Sequence, residues 1–104
     1  MSVLLEFSMF PTDKGESVSE YVSQVIKMIR DSGMSYQLTP MGTIVETENL
    51  VQALGLVEVA YETLEQAGCN RIYSSLKLDI RHGKSGRLQG KLKSVQDKIG
   101  AVNT

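Results

Sequence analysis

The hydrophobic residues of this chain alternate between the two-residue spacing of a strand and the longer spacing of a helix, and the order of these segments restricts the fold more than any other feature. The first segment ends at Pro11 and has polar residues between its apolar ones, which predicts a strand with one apolar face. The apolar positions of this strand are Val3, Leu5, Phe7 and Met9. The segment 17–33 follows with apolar residues at helical intervals. Ser17 and Glu20 have the spacing of a capping box there, and Gly33 marks the stop.

Two short extended segments and a second helix come next. The extended segments, about residues 34–39 and 42–47, are separated by Pro40 and predict a hairpin. From Asn49 to about Gly68, apolar residues trace a single stripe, which predicts a helix. The stripe consists of Leu50, Leu54, Val57, Tyr61 and Leu64, and we expect Tyr61 to lie in the core.

A last strand and an added helix complete the chain. The apolar side of the strand is predicted to carry Ile72, Ser74, Leu76, Leu78 and Ile80, and the segment from Leu88 to Ile99 predicts a short helix. The order before that helix is two consecutive split strand-helix-strand units. It predicts an α+β fold of the ferredoxin-like type, an antiparallel βαββαβ sheet with helices on one face, plus the C-terminal helix. A length of 104 residues suits one domain, residues 1–104.

The predicted topology divides the side chains of the last strand between the two faces of the sheet. The first and last strands are neighbours in this arrangement, and we expect the helices to cover the face that carries Phe7 and Leu78. The opposite face, called the open face below, then collects Glu6, Ser8, Tyr73, Ser75, Lys77, Asp79 and Arg81. Such a row of charges is typical of a solvated surface, of a subunit contact or of a site for a small polar ligand.

The hairpin adds Thr43 and Glu46 to the candidate residues. They are three positions apart, so a regular strand places them on opposite faces unless a bulge re-aims one or Glu46 acts from the end of the strand. Glu46 is also placed to stabilise the start of the following helix through its charge. His82 is interpreted as a solvated loop residue, and no second histidine completes a conventional metal site. The segment GKSGR at 83–87 lacks the Walker spacing and is interpreted as a basic loop able to meet a phosphate.

Charge and cysteine content exclude several classes of function. The chain has 11 basic and 12 acidic residues, and a net charge of −1 gives no general attraction to nucleic acid or to an anionic membrane. No apolar segment approaches the length that spans a membrane. Cys69 is the only cysteine, so an internal disulfide is impossible and a reducing cytoplasm is the expected location.

Three segments together resemble a known family. They are FSMFP at 7–11, YQLTPMGTIVET at 36–47 and LKLDIRHG at 76–83. In their order and spacing, and in SVSEYV and SVQDKIG, the chain resembles the small thiamine-binding proteins with a ferredoxin-like fold. The resemblance implies a non-enzymatic protein that binds thiamine or its pyrimidine moiety and forms dimers that pair into tetramers. Thr47 follows Glu46 where many relatives have glycine, so the local turn departs from the family pattern.

The resemblance also implies a set of binding residues, with thiamine as ligand and no further cofactor. The family's motif positions fall on Ser8, Pro11, Thr43, Glu46, Lys77, Asp79 and Arg81. The carboxylates of this set can offset the thiazolium cation or accept from the pyrimidine amine, and Tyr36 or Tyr73 can stack on a ring. Lys77 and Arg81 would orient these carboxylates, or would meet a phosphate on a phosphorylated ligand.

Two alternatives from other classes stay open. An enzyme of acylphosphatase type shares the topology and needs an arginine in the loop after the first strand, but that loop, PTDKGES, has none. A structural or regulatory oligomer would use the charged face only to join subunits. It predicts that Lys77 and Asp79 pair across the subunit interface with no cavity between them.

Overall fold

The computed structural model describes residues 1–104 and confirms the predicted order of elements. The strands are β1 (Ser2–Pro11), β2 (Ser35–Thr39), β3 (Gly42–Thr47) and β4 (Ile72–Arg81). The helices are α1 (Ser19–Asp31), α2 (Leu50–Gln66) and α3 (Arg87–Ile99). The fold is α+β and ferredoxin-like, as predicted, and none of its helices is both long enough and apolar enough to cross a membrane.

The four strands form one antiparallel sheet in the order β2-β3-β1-β4. Residues directly opposite each other in such a sheet point to the same face. Leu5 lies opposite Val45 on β3 and Leu78 on β4, whereas Leu4 lies opposite Glu46 and Asp79. The first set faces α1 and α2, on what we call the helix face, and the second set lies on the open face.

The core lies between the helix face and the two helices packed on it. Every second residue of β1 from Val3 to Met9 is buried there, as its alternating sequence predicts. The helices contribute the buried side chains of Val25, Ile29, Ala53, Leu56, Ala60 and Leu64. Burying a Val, Leu or Ile side chain stabilises the fold by roughly 1.5–3 kcal/mol. β1 contributes four large buried side chains to this core.

The helix termini follow the sequence signals only in part. Asn49, where the predicted helix begins, caps α2 by accepting a hydrogen bond from the backbone N–H of Gln52. The capping box at Ser17 is wrong, because α1 begins at Ser19 and its N-cap residue is Val18. The carbonyl of Val18 already accepts from the backbone N–H of Val22, which leaves Ser17 outside the helix.

The apolar side of β4 departs from the prediction. Leu76, Leu78 and Ile80 point to the helix face as expected, yet they are 42–45% exposed. The reason is that β4 forms the edge of the sheet and, of the two covering helices, only α2 contacts it. The helices thus cover the face that carries Phe7 and Leu78, as expected, but they leave Leu78 itself partly exposed. Tyr61 of α2, expected in the core, is also exposed.

The C-terminal helix α3 packs on the open face. Its first turns contact β1, β2 and β3, with Arg87 buried and Leu88 and Leu92 half-buried. Beyond Leu92 the helix leaves the sheet, so that Val95 and Ile99 are exposed. One end of the open face is consequently covered by α3, and the other end is free.

Candidate functional site

The charged row on β4 is paired mostly within the chain. Lys77 Nζ lies 3.1 Å from a carboxylate oxygen of Glu6, its cross-strand neighbour. Asp79 Oδ2 lies 3.2 Å from Nη1 of Arg87 on α3. Arg81 belongs to no ion pair. The row thus stabilises the sheet surface and holds α3, and one cation remains free.

A ladder of cross-strand pairs runs along the free end of the open face between β1 and β4. Its three successive pairs are Phe10 with Tyr73, Ser8 with Ser75, and Glu6 with Lys77. The ring centroids of the first pair are 5.7 Å apart, and the hydroxyl oxygens of the second pair are 3.1 Å apart. This cross-strand ladder offers an aromatic surface, hydroxyl groups and a carboxylate in sequence, which are the groups that recognise a flat, polar, cationic ligand.

Glu46 has a structural partner at the start of α3. Its two carboxylate oxygens accept hydrogen bonds from the backbone N–H groups of Arg87 and Leu88, each at 3.0 Å. Burial opposes ionisation of Glu46, but these N–H donors outweigh burial, and the pKa is lowered from its ordinary value. Glu46 therefore stabilises a helix N-terminus as its charge predicts, although the helix is α3 rather than the adjacent α2.

Arg87 attaches α3 to the sheet, a role that no sequence pattern predicted. Its side chain is 8% exposed and donates to the hydroxyl of Ser2 at 2.8 Å and to the carbonyls of Ser2 and Asp79 at 2.9 and 2.6 Å. These bonds tie α3 to both β1 and β4. The only sequence signal was an arginine between a glycine-rich loop and the predicted helix.

We expect Glu46→Gln to loosen α3, because the amide keeps one acceptor oxygen but loses the charge at the helix N-terminus. The cost at neutral pH is about 1–3 kcal/mol of unfolding free energy. In the wild type, the lowered pKa means that the contribution of Glu46 is complete above its ordinary pKa of 4.5. It is lost as the pH falls through the lower, folded-state pKa. Urea midpoints measured on both sides of this pH test the expectation.

The matched control is Glu48→Gln, which removes a charge from an exposed carboxylate two residues away. We expect this control to leave the pH profile of the urea midpoint unchanged. Equal profiles for the two variants would show that Glu46 does not hold α3.

Three of the predicted binding residues lie away from the open face. Pro11, Tyr36 and Thr43 point to the helix face, and Pro11 and Thr43 are buried. Tyr36 is half-buried against the core, so it cannot stack on a ligand bound to the open face. Because β3 pairs regularly with β1 from Thr43 to Thr47, without a bulge, Thr43 and Glu46 occupy opposite faces. The open face retains Ser8, Glu46, Tyr73, Lys77, Asp79 and Arg81.

A cavity of about 360 Å3 nevertheless joins Ser8 and Thr43. It exists because pairing of β1 with β3 ends at Phe7, while β1 continues to Pro11. The β2–β3 turn and the start of α1 close this notch. We call it the end cavity, and its lining includes Phe7, Ser8, Phe10, Val22, Met41 and Thr43.

Gly42 lets the hairpin approach the end of β1. A Cβ atom at this position would lie 3.1 Å from the carbonyl oxygen of Phe7, closer than ordinary van der Waals contact. Two segments that resemble the thiamine-binding family, 7–11 and 36–47, thus meet at the end cavity. The third segment, 76–83, lies along β4.

Comparison with known proteins decides the family. A family model described as thiamine-binding protein matches residues 5–96. The chain belongs to the thiamine-binding protein family. The resemblance inferred from the three segments is confirmed by this match, which includes the end cavity, the cross-strand ladder and most of α3.

Curated relatives of this thiamine-binding family member extend over most of its length. A UPF0045 protein of Methanothermobacter thermautotrophicus is 35% identical over 83 residues, which cover 80% of this chain and 84% of the relative. The UPF0045 protein YqgV of Bacillus subtilis is 34% identical over 87 residues, which cover 80% of this chain and 83% of YqgV.

Solved structures share the fold. A hypothetical protein of Methanocaldococcus jannaschii superimposes with a TM-score of 0.79 at 32% identity, covering 92% of this chain and 97% of the other. A Thermotoga maritima protein, provisionally assigned to thiamine biosynthesis or salvage, gives a TM-score of 0.78 at 23% identity. That alignment covers 91% of this chain and 99% of the other. The description of the matching family, thiamine-binding protein, gives the family a thiamine-related role and indicates no enzymatic activity.

Proposed function

We propose that this protein binds thiamine or a related pyrimidine compound without catalysis, acting as one domain over residues 1–104. The observation that carries the proposal is that two family-like segments, distant in sequence, meet at the end cavity beside the cross-strand ladder. Ser8 and Phe10 belong to both features. A volume of about 360 Å3 suits a small heterocycle, and the mainly apolar lining favours desolvation of its ring faces.

The chemistry of thiamine matches the two halves of this site. In our proposal the aminopyrimidine enters the end cavity, where the hydroxyls of Ser8 and Thr43 offer a donor and an acceptor to its amine and ring nitrogens. The thiazolium cation then lies over the cross-strand ladder, against the Tyr73 ring and near the Glu6 carboxylate. Pro11 supports this arrangement by ending β1 next to the cavity. Hydroxymethylpyrimidine, which lacks the thiazolium ring, would bind in the end cavity alone.

The proposal is tested by titration calorimetry with thiamine, thiamine phosphates and hydroxymethylpyrimidine. We expect saturable binding, and we expect Ser8→Ala and Thr43→Val each to weaken binding of the pyrimidine about tenfold, the loss of roughly one hydrogen bond. Thr63→Val on α2 is the matched control and should bind as the wild type does. No binding of any of these compounds, or equal weakening by all three variants, would refute the proposal.

We propose further that the protein works as a homo-oligomer, with a dimer of dimers as the expected form. Support comes from the exposed edge of β4, where the whole outer side of a ten-residue strand is unpaired. Leu76, Leu78 and Ile80 stand exposed along it, and Leu54 and Tyr61 are exposed on the neighbouring α2. A second copy covering these side chains would remove an apolar patch from water. For a dimer of dimers, we expect light scattering to give a mass of four times 11.5 kDa, and a mass of 11.5 kDa would contradict the proposal.

The alternative of a purely structural or regulatory module receives less support. It requires Lys77 and Asp79 to pair across subunits, but each has an ion-pair partner in its own chain, Glu6 and Arg87 respectively. The cytoplasm is the proposed location, since the single cysteine is unpaired and buried.

A further inference from the structure

A second cavity lies on the open face, between β4 and one side of α3. Its volume is about 300 Å3, and it is lined mainly by polar residues. Its ionisable side chains are Asp79, Arg81, Lys84, Arg87 and Lys91, and Ser94 adds a hydroxyl. We call it the basic cavity. The β1 residue of the basic cavity is Leu4, whereas the end cavity includes Ser8 of the same strand. Four positions of an extended strand span about 14 Å, so the two cavities are distinct.

The basic cavity carries positive charge that the chain does not neutralise. Its one carboxylate, Asp79, is paired with Nη1 of Arg87, whose Nε and Nη2 groups donate to Ser2 and to the main-chain carbonyl of Asp79. Arg81, Lys84 and Lys91 make no salt bridge. Three free cations thus line one concave surface of a chain whose net charge is −1. Their mutual repulsion is relieved when an anion binds between them.

The positions of these groups suit a single compact anion. Arg81 comes from the end of β4, Lys84 from the loop that follows, and Lys91 and Ser94 from one face of α3, three residues apart. An arginine supplies a planar pair of donors and lysines supply point charges, which is the combination that binds phosphate oxygens. These basic groups line a single cavity, which favours a compact anion over a polyanionic backbone.

Gly90 adds an independent observation. It lies within α3, where glycine costs about 1 kcal/mol relative to alanine, and it lines the basic cavity. A Cβ atom at Gly90 would meet no atom within 4 Å, so close packing does not explain the glycine. A side chain there would project into open space beside the cationic groups. The cavity therefore has open space next to the helix backbone at Gly90.

We propose that the basic cavity binds the phosphate group of a small molecule, either as free phosphate or as a phosphate ester. Arg81, Lys84 and Lys91 neutralise the dianion, and the hydroxyl of Ser94 donates to one of its oxygens. Arg87 does not need to move, because its hydrogen bonds to Ser2 hold α3 in place below the anion. The site does not depend on the thiamine proposal, because the residues that form the two cavities are different.

Calorimetric titration with inorganic phosphate, pyrophosphate and glycerol phosphate, at constant ionic strength, tests the site. We expect saturable binding that Arg81→Gln and Lys91→Gln each weaken by about tenfold, the loss of roughly one charge-assisted hydrogen bond. Lys93→Gln is the matched control, because it removes the same charge from the same helix outside the cavity. We expect it to change the affinity less than twofold.

The outcomes distinguish free phosphate from a phosphate ester as the ligand, and they distinguish this inference from the proposal of thiamine binding. Equal affinity for inorganic phosphate and the ester would assign recognition to the phosphate group itself, and a preference for the ester would place part of the recognition on its organic portion. Absence of saturable binding by all three compounds, or equal weakening by Lys91→Gln and Lys93→Gln, would overturn the inference. Binding of hydroxymethylpyrimidine, which has no phosphate, reports on the end cavity alone.

Discussion

Leu5→Ala is expected to lower the unfolding free energy by about 2–5 kcal/mol, because it deletes a fully buried side chain at the centre of the sheet. Leu5 lies between Val45 and Leu78 in neighbouring strands, under the two covering helices. Apart from Leu78, the core side chains around it are only 0–7% exposed, so the structure has little freedom to fill the space left behind. Urea unfolding monitored by circular dichroism measures this loss.

Leu78→Ala is the matched variant, since Leu78 is directly opposite Leu5 and points to the same face. In an isolated chain, where Leu78 is 42% exposed, we expect a loss of less than about 1 kcal/mol. If a second copy covers β4, the loss grows with protein concentration, because unfolding is then coupled to dissociation. Equal losses for Leu5→Ala and Leu78→Ala at every concentration would contradict the exposure of β4. An unchanged stability of Leu5→Ala would contradict the assigned faces of the sheet.

The sequence predicts the sheet well because the side-chain period of a strand is a local property. The alternation around Leu5 and Leu78 is sufficient to assign their faces, and two split strand-helix-strand units are sufficient to assign the strand order. The same pattern does not tell whether anything covers an apolar face. Leu78 carries the pattern of a core residue and is exposed because β4 is an edge strand. Tyr61 carries the same pattern and is exposed because the buried side of α2 is formed by other residues, Ala53, Leu56, Ala60 and Leu64.

The candidate site was predictable only where it depends on strand parity. Ser8 and Tyr73 follow from alternation and lie on the open face, and the opposite orientation of Thr43 and Glu46 follows from their spacing in a regular strand. The end cavity depends on the residue at which β1 stops pairing with β3, and no local sequence pattern predicts that residue. The partner of Glu46 is 41 residues away on α3, so its capping role requires knowing where that helix docks.

The contacts of Arg87 also join residues that are distant in sequence, so local patterns could not predict them. Removing its side chain is the second substitution for which we expect a large effect. Arg87→Ala should lower the unfolding free energy by about 2–4 kcal/mol, because it deletes a buried cation and leaves the hydroxyl and carbonyl of Ser2 without their donors. Ser2 is itself only 2% exposed, so water cannot fully replace the lost bonds. The partner carboxylate of Asp79 is 72% exposed, which limits the cost of leaving it unpaired.

Arg87→Lys distinguishes the charge from the geometry of the guanidinium. Lysine keeps the positive charge beside Asp79, but a single ammonium cannot donate at once in the directions of the Ser2 hydroxyl, the Ser2 carbonyl and the Asp79 carbonyl. We expect it to recover less than half of the lost stability. Arg71→Ala, which removes an exposed arginine, is the control and should change stability by less than about 0.5 kcal/mol.

The part of the structure that Arg87→Ala destabilises is as informative as the loss of unfolding free energy. Arg87→Ala should reduce amide exchange protection in α3 first, while β1 and α2 retain theirs until global unfolding. Combined with Glu46→Gln, its effect should be less than additive, because both substitutions release the same helix terminus and the second has little left to release. Full additivity, or uniform loss of protection across the sheet, would mean that Arg87 stabilises the whole fold and does not specifically dock α3. In that case the basic cavity, whose one wall is α3, would persist in the Arg87→Ala protein.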